Sequence, residues 1–209
     1  MKPQNSSINF QNFGAPKIHK RFSRIALLGG SFNPIHKEHI KIIKEVLDKK
    51  LVDEVWIIPC KKHPFNKSLL DEKHRVEMIK LAIKNMKKVR ICKIELETKG
   101  ISYTINTIRK LKRKYSHQFF MIIGSDILHE IKKWHKYKQI LKEIEFITFI
   151  RKGYSFKKVP GMKIVYLINK KLENISSTEI RERIEEGKSF KSSVPLSVRR
   201  YIKKERLYK

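Results

Sequence analysis

The sequence predicts an α/β fold: a mostly parallel sheet with helices on both faces, forming one principal domain. Two observations carry that expectation. From residue 24 onward, short apolar runs alternate with longer segments of helical spacing. Strand followed by helix followed by strand calls for parallel pairing through right-handed crossovers, which leaves few topologies. The length of 209 residues is enough to bury a substantial core and suits one domain, or one domain with an appendage.

Taken in order, residues 1–22 (MKPQNSSINFQNFGAPKIHKRF) mix polar residues with Pro, Gly and isolated Phe and show no sustained period. They are expected to be a loose N-terminal extension, with an organellar transit peptide as the alternative, and residues 23–209 the domain. RIALLG (24–29) is an apolar run that ends in glycine, the first expected strand, and a helix is expected over about 38–50. EVWIIP (54–59) is the second strand, closed by proline, with a helix over about 71–86. RICKIEL (90–96) is the third strand, with a helix over about 104–114. FFMIIG (119–124) is the fourth, again ending in glycine, with a helix over about 136–142. EFITFI (145–150) and MKIVYL (162–167) complete the strands, and helices are expected near 177–186 and 194–204. In such sheets ligands bind beyond the carboxyl ends of the strands, near a switch in strand order, so the residues just after each strand are the ones to inspect.

Composition narrows the setting. Lys and Arg number 49 against 20 Asp and Glu, a formal charge of +29, so polyanions, nucleotides, nucleic acid and acidic membranes all have the right sign. The cations are spread along the chain instead of gathered in one basic segment, which is the pattern of general Lys abundance. Cys60 and Cys92 match no zinc or redox spacing, in keeping with a reduced cytoplasmic protein. No apolar run approaches the roughly 20 residues of a membrane helix. The N-terminus lacks the apolar centre of a signal peptide.

Three stretches carry chemistry. In IALLGGSFNPIHKEH (25–39), Gly29 and Gly30 end the first strand, where absent side chains let a phosphate approach the backbone. His36 and His39, three apart, lie on one side of a helical first turn beside its unpaired N–H groups. The Gly-Lys-Ser/Thr ending of a P-loop and the Gly-x-Gly-x-x-Gly of a dinucleotide fold are both missing. Metal binding by the two histidines lacks a third ligand at a matching position. In NISSTEIRERI (174–184), Ser176, Ser177 and Thr178 are alternative helix caps, and Arg181 adds a bidentate cation to the hydroxyls at a positive helix end. In MIIGSDILHEIKKWHKY (121–137), Gly124 and Asp126 follow a buried strand. Asp126 is placed to accept from a ribose or to orient a cation, or else to cap a helix. Trp134 and Tyr137, one helical turn apart, are either core aromatics or a stacking surface for a planar ring.

GGSFNPIHKEH early and ISSTEIR late, standing in this order, resemble the nucleotidyltransferase superfamily, marked by a His-x-Gly-His or Thr-x-Gly-His element and a late Ser/Thr-rich element ending in Arg. Within it the chain is most similar to the bacterial nicotinate-nucleotide adenylyltransferases, over residues 24–209, including HRVEMIKLAI, SYTINTI, GSDILHEIKKWHKY and VPLSVRRYIKKERLY. The resemblance implies a Rossmann-like, doubly wound fold. It also implies transfer of the adenylyl group of ATP, with Mg2+, to nicotinate mononucleotide, in the synthesis of NAD. By the same resemblance His36 and His39 are catalytic donors to the phosphates, and Gly29, Gly30, Ser31, Phe32, Gly124, Asp126, Ser176, Ser177, Thr178 and Arg181 bind ATP. Thr104, Ile105, Trp134 and His135 hold the acceptor, with His135 where the family often has Tyr, and Lys67 and Arg75 are further candidate phosphate contacts. The partners expected are these two substrates, with no membrane and no specific nucleic acid; a homo-oligomer is left open.

The chain departs from the pattern at Glu38, in place of the glycine of His-x-Gly-His, where a side chain and a negative charge enter beside the phosphate site or point to solvent. Asn33 and Asn106 stand where Asp is usual. Rival readings are a nicotinamide mononucleotide enzyme, a phosphopantetheine adenylyltransferase, or another nucleotidyltransferase of the superfamily. From a different class, a non-catalytic nucleic-acid-binding protein predicts affinity that falls steeply with salt and ignores His36.

Overall fold

The computed structural model describes residues 22–62, 69–169 and 175–209. Residues 1–21 of the expected extension, and Lys67, lie outside the described residues. The strands are β1 (Arg24–Gly30), β2 (Glu54–Pro59), β3 (Val89–Ile91), β4 (Gln118–Gly124), β5 (Glu145–Phe149) and β6 (Ile164–Ile168). The helices between and after them are α1 (Lys37–Asp48), α2 (Glu72–Ile83), α3 (Thr104–Lys114), α4 (Ser125–Glu130), α5 (Tyr137–Glu143), α6 (Ser177–Glu185) and α7 (Leu196–Lys204).

All six strands are parallel, in the order β3-β2-β1-β4-β5-β6. The order reverses between β1 and β4, so the segments leaving those two strands open the crevice in which doubly wound sheets bind ligands. Successive side chains of a strand face opposite ways, and the core divides accordingly. Ala26, Leu28, Val55, Ile57, Phe120 and Ile122 face one layer, with Ile43 and Val46 of α1, Met78 and Ile79 of α2, Ile180 of α6 and Val198 and Ile202 of α7. Ile25, Leu27, Trp56, Ile58, Phe119 and Met121 face the other, with Ile105, Ile108 and Leu111 of α3 and Ile140 and Leu141 of α5. Strands covered on both faces read as unbroken apolar runs, which is how they stand in the sequence. The last helix is tied to α2: His74 Nδ1 and Tyr201 Oη lie 2.8 Å apart, and Ser197 Oγ donates to Leu81 O at 3.0 Å.

The structure corrects three expectations. The third strand is Val89–Ile91 and not 90–96, because the chain turns back on itself there: Glu97 N donates to Lys93 O and Thr98 N to Glu95 O. Glu95 is anchored by Thr107 Oγ1 at 2.7 Å, a long-range bond that overrides the strand-like run. The short helix α4 begins directly at the end of β4, at Ser125, ahead of any helix that Asp126 would cap. Trp134 and Tyr137 do not share a helix, since Trp134 ends a 3-10 turn over Ile131–Lys133 and the left-handed Lys136 (φ 53°) breaks the chain before α5. Among the described residues no helix is long and apolar enough to cross a membrane.

Candidate active site

The loop leaving β1 is held from behind. Gly30 O accepts from Cys60 N at 3.0 Å, Ser31 O from Arg75 Nη1 at 2.8 Å, Asn33 O from Arg181 Nη1 at 2.8 Å and Pro34 O from Ser177 Oγ at 2.9 Å. In a trans peptide the C=O and the following N–H point opposite ways. The N–H groups of Ser31, Phe32 and Ile35 are thereby turned away from these donors, an arrangement of backbone dipoles that suits an anion. The two glycines serve different ends. A Cβ on Gly29 meets nothing within 4 Å, whereas one on Gly30 would lie 3.2 Å from Phe32 Cζ. Gly30 thus makes room for the Phe32 ring, which is 1% exposed and sits on a left-handed backbone (φ 49°) whose strain its burial offsets.

His36 caps α1 from an extended conformation, and its N–H donates to His39 Nδ1 at 3.3 Å. The two imidazoles stack with centroids 3.7 Å apart, and Phe32 leans on His39 at 5.0 Å. Burial, aided by the Arg151 cation, lowers the His36 pKa from 6.5 to about 3. Burial likewise puts His39 well below its usual value, with smaller contributions from His36 and Arg151. Both rings are therefore neutral at pH 7. Since His39 Nδ1 accepts, Nε2 is the nitrogen that carries the proton and donates. One expected vacancy is filled: Lys37 N–H, in the first turn, is accepted by Ser193 O at 2.9 Å. Glu38 does not point to solvent. It is 3% exposed and ion-paired with Lys41 at 2.9 Å.

The start of α6 lies against the same loop. Ser176 is the cap, accepting from Glu179 N at 3.1 Å, while Ser177 and Arg181 hold the loop and Arg181 Nη2 also donates to Thr178 Oγ1 at 3.3 Å. Beyond β4, Gly124 is the N-cap of α4 and Asp126 lies inside the helix, so Asp126 is not its cap. Asp126 Oδ2 accepts from Arg151 Nη1 at 2.9 Å. A Cβ on Gly124 would come within 2.2 Å of Asp126 Oδ1 and 2.7 Å of Arg151 Cδ.

Thr104 and the fully buried Ile105 open α3, where N–H groups have no acceptor within the helix. Beside them the Tyr103 and His135 rings lie 4.4 Å apart, and Trp134 packs partly buried on the second core layer. Arg75 is 1% exposed, its Nε on Leu70 O and its Nη1 on Ser31 O, which places it behind the loop. Two residues went unnoticed in the sequence as parts of this site. Arg151 follows β5 directly, and inspection of every strand end was the signal that reaches it. Tyr208 arrives from the far end of the chain, with its hydroxyl donating to Asn33 Oδ1 at 2.8 Å, and no local pattern announces it.

Comparison with known proteins agrees with this architecture. The cytidylyltransferase-like family model matches residues 27–183. A probable nicotinate-nucleotide adenylyltransferase of Shouchella clausii is 37% identical over 188 residues, covering 88% of this chain and 96% of the relative. The nicotinate-nucleotide adenylyltransferase of Bacillus subtilis is 34% identical over 196 residues, covering 88% and 98%. The structure of Plasmodium falciparum nicotinic acid mononucleotide adenylyltransferase complexed with NaAD superimposes with a TM-score of 0.80 at 26% identity, covering 89% of this chain and 97% of that one. The chain is a nucleotidyltransferase that belongs to the nicotinate-nucleotide adenylyltransferase family.

Proposed function

We propose that the protein transfers the adenylyl group of ATP to nicotinate mononucleotide, yielding nicotinate adenine dinucleotide and pyrophosphate. The observation that carries the reading is the loop after β1, where the Gly30, Ser31, Asn33 and Pro34 carbonyls are engaged, which turns the N–H groups of Ser31, Phe32 and Ile35 the other way, and where two stacked neutral imidazoles follow at the start of α1. Such a site needs no nucleophilic side chain. An oxygen of the acceptor's phosphate attacks the α-phosphorus of ATP, one P–O bond forms, the α–β P–O bond breaks, and pyrophosphate leaves with the bonding pair. A divalent cation such as Mg2+, arriving with ATP, would supply positive charge to the phosphates as the bond breaks.

In this reading His36 and His39 donate to phosphate oxygens as charge builds on them. The N–H groups near Gly30 and Ser31 line the same pocket, over the Phe32 ring, with Gly29 open beside it. Ser176, Ser177, Thr178 and Arg181 bound the β- and γ-phosphates, and Gly124 and Asp126 border the adenosine. Thr104 and Ile105 offer helix-start N–H groups to the pyridine carboxylate, and Trp134 and His135 supply rings to stack on it. The Arg151 guanidinium, paired with Asp126, adds positive charge on the histidine side.

The test is pyrophosphate release from ATP and Mg2+ with nicotinate mononucleotide, nicotinamide mononucleotide or phosphopantetheine supplied separately. Release with nicotinate mononucleotide well above the other two is expected, and release with another acceptor alone would assign the protein to that substrate. His36→Ala is expected to lower turnover about a hundredfold or more, the usual effect of removing a preorganised donor to a transition state. Near-normal turnover in that variant would remove His36 from the role.

A further inference from the structure

The loop after β1 is tied to residues from distant parts of the chain, and the contact from the chain's end is made by Tyr208, whose ring packs partly buried on the first core layer while its hydroxyl reaches past that layer to Asn33. The last turn of α7 ends at Glu205, whose N–H returns to Tyr201 O at 2.9 Å. Arg206 and Tyr208 are both left-handed (φ 49° and 61°), and between them Leu207 is 7% exposed in the first core layer, with its N–H on Ile202 O at 3.1 Å. Two left-handed residues around a buried anchor are a specific geometry. Its result is to carry the Tyr208 ring back across the sheet end to Asn33, 175 positions earlier.

Asn33 is itself 3% exposed, follows the left-handed Phe32, and hands its backbone carbonyl to Arg181. Its side-chain amide has a carbonyl end and an NH2 end, and the Tyr208 hydroxyl, donating to Oδ1 at 2.8 Å, fixes which end faces which way. Asn33 lies between the N–H groups of Ser31 and Phe32 and the cap residue His36. A shift at Asn33 therefore moves both sets of donors at once. Arg75 and Arg181, which hold Ser31 O and Asn33 O, are near enough for their charge to act on the Tyr208 hydroxyl, so the tail joins the same support behind the loop.

We propose that Tyr208 is a positioning residue for the ATP phosphates, acting through Asn33: the C-terminal tail locks the loop that follows β1 in its anion-binding form. The inference rests on the adenylyl-transfer reading for its kinetic test and on the loop alone for its binding test. Removing a single neutral hydrogen bond is worth about a fivefold to tenfold change.

The experiment uses the full chain. Tyr208→Phe keeps the ring and deletes the hydroxyl; it is expected to lower kcat/KM for ATP, and the calorimetric affinity for ATP·Mg and for inorganic pyrophosphate, about fivefold to tenfold, with KM for nicotinate mononucleotide within twofold of wild type. Asn33→Leu, which removes the acceptor from the other side, is expected to give at least the same ATP-side loss. The double variant should be no worse than Asn33→Leu alone, and Asn33→Asp, which keeps an acceptor, should recover most of what Asn33→Leu loses. Unchanged ATP and pyrophosphate affinity in Tyr208→Phe overturns the inference, as does a loss shared equally by both substrates or losses that multiply in the double variant. If Tyr208→Phe fails to fold, the comparison of Asn33→Leu with Asn33→Asp decides the same question. A wild-type chain that releases no pyrophosphate with any acceptor overturns the functional reading, while ATP·Mg and pyrophosphate binding by Tyr208→Phe still tests the tail.

Discussion

His36 and His39 are held uncharged beside the loop that follows β1, and that has a thermodynamic cost in acid. The fold lowers the His36 pKa from 6.5 to about 3 and sets His39 well below its usual value, in both cases chiefly by burial. Below pH 6.5 the unfolded chain takes up protons at these positions and the folded chain does not. Stability is therefore complete above pH 6.5 and declines as pH falls toward 3, by up to about 1.4 kcal/mol per pH unit for each histidine. Glu95 acts in the opposite sense: burial raises its carboxyl pKa, so the fold keeps that proton and gains as pH falls. Melting temperatures from pH 7.5 to 4.5 should fall, and His36→Asn should flatten the profile while leaving the value at pH 7.5 little changed. A His36→Asn profile that falls as steeply as the wild type's would mean the His36 imidazole titrates normally. On the proposed placement of ATP beside both rings, its negative charge should raise their pKa values and lessen the acid slope.

At the level of elements, the site is made where strands stop. β1 gives way to the loop and α1, β4 gives way at Gly124 to α4, and β5 gives way to Arg151. Gly124 is required there by crowding and not by backbone conformation, since a methyl group would overlap Asp126 Oδ1 and Arg151 Cδ and the ion pair between them must open. Gly124→Ala is accordingly expected to lower turnover about tenfold or more while the protein remains folded, measured by kinetics beside thermal melting. Wild-type turnover would show that the Asp126–Arg151 pair is dispensable. This level is also where the sequence is most and least legible. Apolar runs ending in Gly or Pro mark β1, β2 and β4 almost to the residue, because strands buried on both faces carry an unambiguous pattern. RICKIEL, broken by Lys93 and Glu95 and ending in neither Gly nor Pro, is strand only as far as Ile91, because Glu95 is claimed by Thr107 on α3, a contact 12 positions away that no local rule sees. The paired histidines and the capped start of α6 are legible from spacing and cap chemistry. Arg75 behind the loop, Arg151 against the histidines and Tyr208 on Asn33 depend on tertiary placement, so the sequence alone shows cations and an aromatic with no assigned neighbour.

For the whole molecule, the C-terminal tail belongs to the fold, since Leu207 is buried in the first core layer and Tyr208 reaches Asn33. Among the described residues, the sheet and both core layers lie between Arg24 and Tyr208, and Phe22, the first of them, is 68% exposed. The curated relatives match this chain over 96% and 98% of their own length while covering 88% of it. We propose that residues 23–209 suffice as the catalytic domain. Deletion of residues 1–22 is expected to leave the melting temperature within a few degrees and turnover within about twofold. Deletion of only Leu207–Lys209 is expected to do far more harm: it removes a buried leucine, worth about 2–3 kcal/mol of transfer free energy, and it releases Asn33. For a chain of this size about 2–4 °C is lost per kcal/mol, so a fall on the order of 5–10 °C is expected, with weakened binding of ATP·Mg. Matched truncations assayed by melting and by pyrophosphate release decide it. A short C-terminal cut that is harmless would take the returning tail out of the functional unit, and an N-terminal cut that abolishes activity would bring the first 22 residues into it.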